Sequence, residues 1–261
     1  MVDAARHPNI EILAYSEVDK VDGYIGNFRV HVTKKPRYVI EDRCNGCGEC
    51  AQVCPIEVPN DFEVGIAPRK AIDVPHGQAV PLIYAIDMDN CIKCYQCVTA
   101  CGKLDAIDFS QEPETVELDV GAIVAATGFE TFDPSVIPEL GYGVYPNVIT
   151  AMELERLANS AGPTVGRVIR PSDGKTPKSL AMIQCVGSRD KRYNEYCSNF
   201  CCMYAIKNAI LLKQSYPDME VTIFYMDIRT PFKDYEEFYN RARAMGIRFI
   251  QGRPSQVTED P

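Results

Sequence analysis

No stretch of the sequence reaches the roughly eighteen consecutive apolar residues of a membrane-spanning helix. The start, MVDAARHPNIEIL, has neither the basic region nor the continuous apolar stretch of a secretory leader. We therefore expect a soluble cytoplasmic protein with no transmembrane segment. Histidine is scarce: His7, His31 and His76 are the only three, and no metal-ligand spacing relates them, so all three read as solvent-facing or structural. No Ser-His-Asp or Cys-His arrangement stands out, which leaves no obvious nucleophile of the hydrolase type. Net basic charge is lacking too. The formal net charge is -9, with acidic residues spread along the chain, so nucleic acid is not an expected partner.

What the sequence does have is cysteine, twelve in 261 residues. A chain of this length can bury one large core or two modest ones and does not depend on disulfide staples. Eight of the cysteines fall into two tight groups of four, which is not how an extracellular disulfide framework is distributed. Metal or cluster binding is the leading reading.

The organisation along the chain divides accordingly. From Ile10 to Val39 the pattern is β, with a glycine-bearing turn at Gly23 to Gly26, and Phe28, Val30 and Val32 then alternate with polar residues. Residues 41–110 are punctuated by cysteine, proline and glycine and show little periodicity, as expected of a segment folded around bound groups. The apolar run VGAIVAATG, ending at Gly128, predicts a buried strand leading into a loop. Met152 to Ala161 predicts a short helix and Gly162 to Pro177 a linker. After that come a strand from Ser179, a helix over Phe200 to Gln214, the strand VTIFYMDI, a helix over Glu236 to Met245 stopped by Gly246, and the strand IRFIQ. That alternation implies a mostly parallel sheet, and the chain as a whole reads as a combination of α/β and α+β structure.

The first quartet is CNGCGECAQVCP and the second CIKCYQCVTAC, both with the spacing CxxCxxCxxxC. In bacterial-type ferredoxins three closely spaced thiolates hold one cubane and the fourth cysteine reaches the other. The crossed assignment gives one [4Fe-4S] cluster to Cys44, Cys47, Cys50 and Cys101, and a second to Cys91, Cys94, Cys97 and Cys54. Gly46 and Gly48 are expected to let backbone amides approach the cluster sulfides and help set the potential. Two structural zinc sites are the alternative, but zinc typically uses two separated CxxC knuckles rather than a repeated three-plus-one arrangement. The connection from Pro55 to Asn90, with Pro59, Pro68, Pro75 and Pro81, is longer than a minimal ferredoxin needs and suggests an excursion or docking loop.

The remaining cysteines are Cys185, Cys197, Cys201 and Cys202. Cys197 and Cys201, four apart, are expected to share a face at the start of the predicted helix, with Cys185 arriving from the preceding strand. A helix amino terminus stabilises thiolates; buried, unreactive thiols explain the same pattern equally well. A dinucleotide fold would carry GxGxxG at this junction, where the sequence instead reads CVGSRD, so nicotinamide binding is not expected here. Tyr193, Tyr196 and Tyr204 flank the cysteines and read first as core packing, with shielding of a cluster as the alternative. Arg189, Lys191 and Arg192 read either as a solvated loop or as an offset to cluster charge.

Taken together, the quartets, ATGFETFDP, GYGVYPNVITAMELERL, QCVGSRD and YCSNFCCMYAIK resemble the A subunit of heterodisulfide reductase over essentially the whole chain. The resemblance implies a thioredoxin-reductase-like FAD/NAD(P)-type fold into which a 2[4Fe-4S] ferredoxin domain is inserted. On that scheme residues 1–40 are FAD-domain β structure and 41–110 the ferredoxin insert. Residues 111–161 return to the FAD domain, and 162–261 form a truncated NAD(P)-domain-like unit. It further implies a third [4Fe-4S] cluster on Cys185, Cys197, Cys201 and Cys202, and FAD near Ala126, Thr127 and Gly128.

Function follows as an expectation: electron transfer through the clusters of a flavin and iron–sulfur oxidoreductase complex. The expected partners are the other members of that complex and a hydrogenase, formate dehydrogenase or similar donor, and any bond-breaking at a disulfide is expected to belong to a partner subunit. No GxGxxG precedes His7, so the sequence reads as a truncated segment or split gene product whose flavin half another chain could supply. The alternative is a flavin-free, ferredoxin-like carrier or docking module.

Overall fold

In the computed structural model, which describes residues 2–259, the period-two pattern around Val30 becomes the middle of a three-stranded antiparallel sheet. Helix α1 (Val2–Arg6) and an irregular stretch precede β1 (Ser16–Tyr24), so the β structure starts later than Ile10. A tight turn leads to β2 (Asn27–Lys34), and β7 (Glu114–Val120) pairs along its other edge, giving the order β1-β2-β7. Val30 and Val32 are buried while Arg29 faces outward, as the pleat dictates. His31 bridges its neighbours, with Asp22 at 3.2 Å and Glu117 at 3.3 Å.

The run ending at Gly128 departs from expectation. Its first residue, Val120, pairs with Phe28, and the Gly121 carbonyl accepts from the Gly26 N–H at 2.9 Å. Beyond that point the β1-β2 hairpin has turned back and offers no further edge. Strand β7 therefore stops at Val120, and residues 121–130 are exposed coil, with Val124 90% exposed. The predicted buried strand is absent, because an apolar run becomes a strand only where a partner edge supplies its hydrogen bonds.

Between β2 and β7 lies the cysteine-rich segment, whose two ends run side by side. Val39 bridges Ile107, the Ile40 N–H donates to Ala106 at 2.7 Å, and the Asp108 N–H to Tyr38 at 3.0 Å. Within it are α2 (Glu49–Gln52), a hairpin of β3 (Glu57–Pro59) and β4 (Pro68–Lys70), the short pair β5 (Ile72–Asp73) and β6 (Ala85–Ile86), and α3 (Gln96–Cys101). The long connection is thus occupied by short antiparallel pairs. Its core is small, comprising Val39, Ile72, Ile83, Ile86 and Ala106 together with Cys50 and Cys97.

Residues 129–259 form a second unit. Helix α4 (Ala151–Ala158) opens with a capping box in which Thr150 accepts from the Glu153 N–H and Glu153 accepts from the Thr150 N–H. Strands β8 (Ser179–Ile183), β9 (Glu220–Tyr225) and β10 (Arg248–Gln251) form a parallel sheet in the order β10-β9-β8, with α5 (Cys201–Ser215) and α6 (Tyr235–Ala244) as crossovers. Ile206, Ala209, Val221, Ile223 and Ala242 are 0–1% exposed and form the centre of its core. The parallel sheet expected from the alternating pattern is present, with helix bounds within three residues of those predicted.

Candidate metal centres

The two quartets have the same backbone. The Ile40 carbonyl accepts from the N–H groups of Arg43 and Cys44, at 3.1 and 3.0 Å; the Asp87 carbonyl accepts from Asn90 and Cys91, at 3.3 and 2.9 Å. Each turn delivers the first cysteine of its quartet. Two left-handed residues follow at matching positions: Gly46 (φ 72) and Gly48 (φ 83) in the first quartet, Lys93 (φ 54) and Tyr95 (φ 58) in the second. Such alternating left-handed positions point successive N–H groups toward one concavity. A short helix then buries the third cysteine, Cys50 in α2 and Cys97 in α3.

These turns surround two cavities. Cys44, Cys47, Cys50 and Cys101 line one, with Val39, Tyr84 and Ile107 in its wall. Cys91, Cys94, Cys97 and Cys54 line the other, with Ile72, Ile86 and Phe109. The fourth cysteine of each quartet therefore faces the cavity of the other. Backbone amides address the sulfurs directly: Lys93 N donates to Cys91 Sγ and Ala106 N to Cys101 Sγ, each at 3.4 Å.

Burial pushes the Cys50 thiol up to about 12 and raises Cys97 also, since a thiolate in an apolar wall is unfavourable without a cation beside it. Among the described residues no group of three or more His, Cys, Asp or Glu is gathered for a single metal ion. Sulfurs set around a cavity, with amides aimed at them, fit the larger, multi-iron group.

The last four cysteines meet where β8 ends and α5 begins. The chain leaves β8 through Gln184, whose N–H still bonds to Phe224, and Cys185 then takes a left-handed turn (φ 59). Cys201 and Cys202 occupy the first turn of α5, while Cys197 lies before the helix, beyond left-handed Asn199. The expectation that Cys197 and Cys201 share a helix face is thus corrected: the turn at Asn199 keeps Cys197 off the helix, and Cys197 Sγ accepts from the Asn199 N–H at 3.4 Å.

Cys185, Cys201 and Cys202 act on one another electrostatically. Cys201 is lowered, chiefly because the Cys202 thiol donates to it; burial opposes this, and Ser198 and the backbone of Cys185 and Cys202 assist. Cys202 is correspondingly raised, and Cys185 is raised by burial and by Cys201, against the pull of Arg189.

Other side chains complete this region. Tyr204, pushed up to about 12 by burial and by Cys201, Cys202 and Cys185, lies against the thiols. Tyr196 is 68% exposed, and Tyr193 donates to the Val136 carbonyl at 3.1 Å, so neither fills the core. Arg189 reaches Cys185 and pairs with Asp227, whereas Arg192 pairs with Asp190 at 3.0 Å away from the thiols. Ser198 joins the site from the structure alone. Its position between Cys197 and Cys201 is the one signal the sequence holds for it.

Ala126, Thr127 and Gly128 lie in the exposed coil after β7, with Gly128 left-handed (φ 77). No described helix is long and apolar enough to cross a membrane.

A profile for the 4Fe-4S dicluster domain matches residues 43–107. The chain is 57% identical over 263 residues to the iron-sulfur A subunit of the CoB–CoM heterodisulfide reductase of Methanocaldococcus jannaschii. It is 59% identical over 263 residues to one of the iron-sulfur A subunits, the second, of the CoB–CoM heterodisulfide reductase of Methanopyrus kandleri. To the A subunit of the H(2)/formate:CoB-CoM heterodisulfide,ferredoxin reductase of Methanococcus maripaludis it is 55% identical over 264 residues. In each case all of this chain is covered, and it spans 40% of the length of the relative.

Proposed function

We propose, from the premise that the chain belongs over its whole length to the family of heterodisulfide reductase A subunits, that it carries electrons through three [4Fe-4S] clusters of such a complex. The observation that carries this reading is the pair of cavities, each lined by three cysteines of one quartet and the fourth of the other. When bound, the clusters supply one-electron carriers. Cys44, Cys47, Cys50 and Cys101 hold one, and Cys91, Cys94, Cys97 and Cys54 hold another. Ile72, Ile86 and Phe109 keep water from the second, while the left-handed turns present amides to the sulfurs of both. Cys185, Cys197, Cys201 and Cys202 hold the third, with Arg189 offsetting negative charge on one side.

The finer fold belongs to this proposal as well: a thioredoxin-reductase-like framework in which residues 41–110 are a ferredoxin insert. Ala126, Thr127 and Gly128 then approach FAD, and residues 162–261 are the NAD(P)-domain-like unit. The partners are the other members of a cytoplasmic complex and a donor such as a hydrogenase or a formate dehydrogenase, in keeping with the hydrogen- and formate-linked name of the M. maripaludis relative.

The test is the iron and acid-labile sulfide content of anaerobically prepared protein, with electron paramagnetic resonance after reduction. About twelve irons per chain in the wild type, falling by about four in Cys201→Ala, is the expected result on four irons per cluster. About eight in both would reduce the late cysteines to buried thiols. A second reading, a flavin-free carrier, is favoured by the exposure of Ala126, Thr127 and Gly128. Flavin absorbance of the purified protein discriminates: bound FAD supports the first reading, and its absence with intact clusters supports the second.

A further inference from the structure

Among the described residues, one buried side-chain polar atom has no hydrogen-bond partner: Ser198 Oγ. It lies in the four-residue step from Cys197 to Cys201, inside the third quartet. A buried hydroxyl without a partner is unfavourable, and each such group in a folded protein calls for a reason.

The usual reason for a serine just before a helix, capping, is excluded. The residue at the cap of α5 is Phe200, with no side-chain cap, and the first turn is closed by backbone bonds from Met203 and Tyr204 to the Phe200 carbonyl, at 3.0 and 3.1 Å. Ser188, on the same long connection, shows the contrast, since its hydroxyl donates to the Tyr196 carbonyl at 2.9 Å. Ser198 Oγ makes no such bond. It stands one residue after Cys197 and three before Cys201, and meets no group with hydrogen-bonding geometry.

We propose that Ser198 is the hydroxyl donor to the sulfur of the third cluster, through the Cys201 thiolate or an adjoining sulfide, and that it raises that cluster's reduction potential. The inference rests on the reading that Cys185, Cys197, Cys201 and Cys202 hold a cluster. A serine O–H rotates freely to suit its acceptor, so the hydroxyl gains a partner as soon as an electron-rich sulfur stands before it. Hydrogen bonds to the sulfurs are among the determinants of cluster potential. Reduction adds negative charge to the cluster, so a donor stabilises the reduced state more than the oxidised one. Ser198 acts through the sulfur and is a positioning and tuning group. A second donor, Arg189, sits on the Cys185 side; Ser198 is placed to act on Cys201.

The experiment compares wild type, Ser198→Ala and Ser198→Thr, prepared without oxygen, by iron content and by potentiometric titration with dithionite followed by electron paramagnetic resonance. The expected result is about twelve irons in all three. In Ser198→Ala the third cluster's midpoint falls by the equivalent of about a tenfold change in the reduction equilibrium, about 59 mV for a one-electron couple. Ser198→Thr, which keeps the hydroxyl, stays close to wild type. The two ferredoxin clusters, held by other cysteines, serve as unmoved internal references.

An unchanged third midpoint in Ser198→Ala with twelve irons present would overturn the inference and leave the cluster reading standing. An equal shift in Ser198→Thr would do the same, since hydroxyl chemistry would then not be the cause. Loss of about four irons in Ser198→Ala would overturn it in favour of a role in holding the cluster. Only eight irons in the wild type would overturn both readings together.

Discussion

Exchange of fourth ligands between the quartets is the most demanding prediction. Cys54 follows α2 in sequence and is tied to it by its N–H bond to the Ala51 carbonyl, at 3.2 Å, yet its side chain lines the cavity of Cys91, Cys94 and Cys97. Two double variants separate the possibilities. If the ligation is crossed, Cys54→Ala with Cys94→Ala damages one site twice and removes about four irons. Cys54→Ala with Cys47→Ala damages both sites and removes about eight. Changes at one site are non-additive and changes at separate sites add, so each comparison differs by a whole cluster. Iron analysis resolves that difference readily, and any irons held at the late cysteines are a constant background in every sample. The reverse order, four irons lost with Cys47→Ala and eight with Cys94→Ala, would refute the crossed assignment and with it the reading of the two cavities.

Three further outcomes are expected. Gly46→Ala places a Cβ 2.9 Å from the Leu82 carbonyl at a left-handed position, so it should cost about 1–3 kcal/mol. Lys93→Gly, at the matching position, relieves that conformation while loosening the unfolded chain and should stay within about 1 kcal/mol of wild type; thermal unfolding followed by cluster absorbance compares the two. Burial raises the Asp87 carboxyl, but hydrogen bonds from Arg69, at 2.7 Å, and Asn90, at 2.9 Å, outweigh it and leave it lowered. Its contribution is therefore present above about pH 3.9, the unfolded value, and is lost as pH falls through the lower folded value. Urea midpoints over that interval should fall more steeply for wild type than for Asp87→Asn. Thr150→Ala removes one half of the α4 capping box and should cost about 0.5–2 kcal/mol, with Thr150→Ser restoring most of it in the same urea titration.

The parts of the fold legible in the sequence are those whose signal is local. The β8-α5-β9-α6-β10 alternation is readable because each element carries its own period, and α5 is apolar enough on most sides to be a buried crossover. The run ending at Gly128 is not. Its composition is that of a buried strand, but strand formation depends on a neighbour's free edge, and β2 has none left beyond Phe28. The connection between the quartets is legible as an excursion, though not as the β3-β4 and β5-β6 pairs, because two- and three-residue strands carry too little pattern to register. At the third site the convergence of cysteines can be argued from spacing. The left-handed residue that takes Cys197 off the helix, Asn199, carries no comparable sequence signature, and a hydroxyl such as Ser198 becomes visible only when its partners are counted.

The two quartets bear on what their spacing specifies. Small residues at Gly46 and Gly48 suggest that glycine is needed for amides to approach the cluster, yet Lys93 and Tyr95 adopt the same left-handed turns in the second quartet. The common requirement is backbone direction, not size. Glycine adopts it without strain, whereas lysine and tyrosine do so only where the surroundings hold them. Tyr95 is held by an edge-on contact with Phe109 at 5.1 Å, and both line the cavity of Cys54, Cys91, Cys94 and Cys97. In the first quartet the constraint runs the other way. A Cβ on Gly46 would meet the Leu82 backbone, and one on Gly48 would lie 2.9 Å from the Tyr84 hydroxyl. At Gly46 glycine is required by the neighbouring chain as much as by the turn, so the same spacing reaches the same geometry through different residues on its two occurrences.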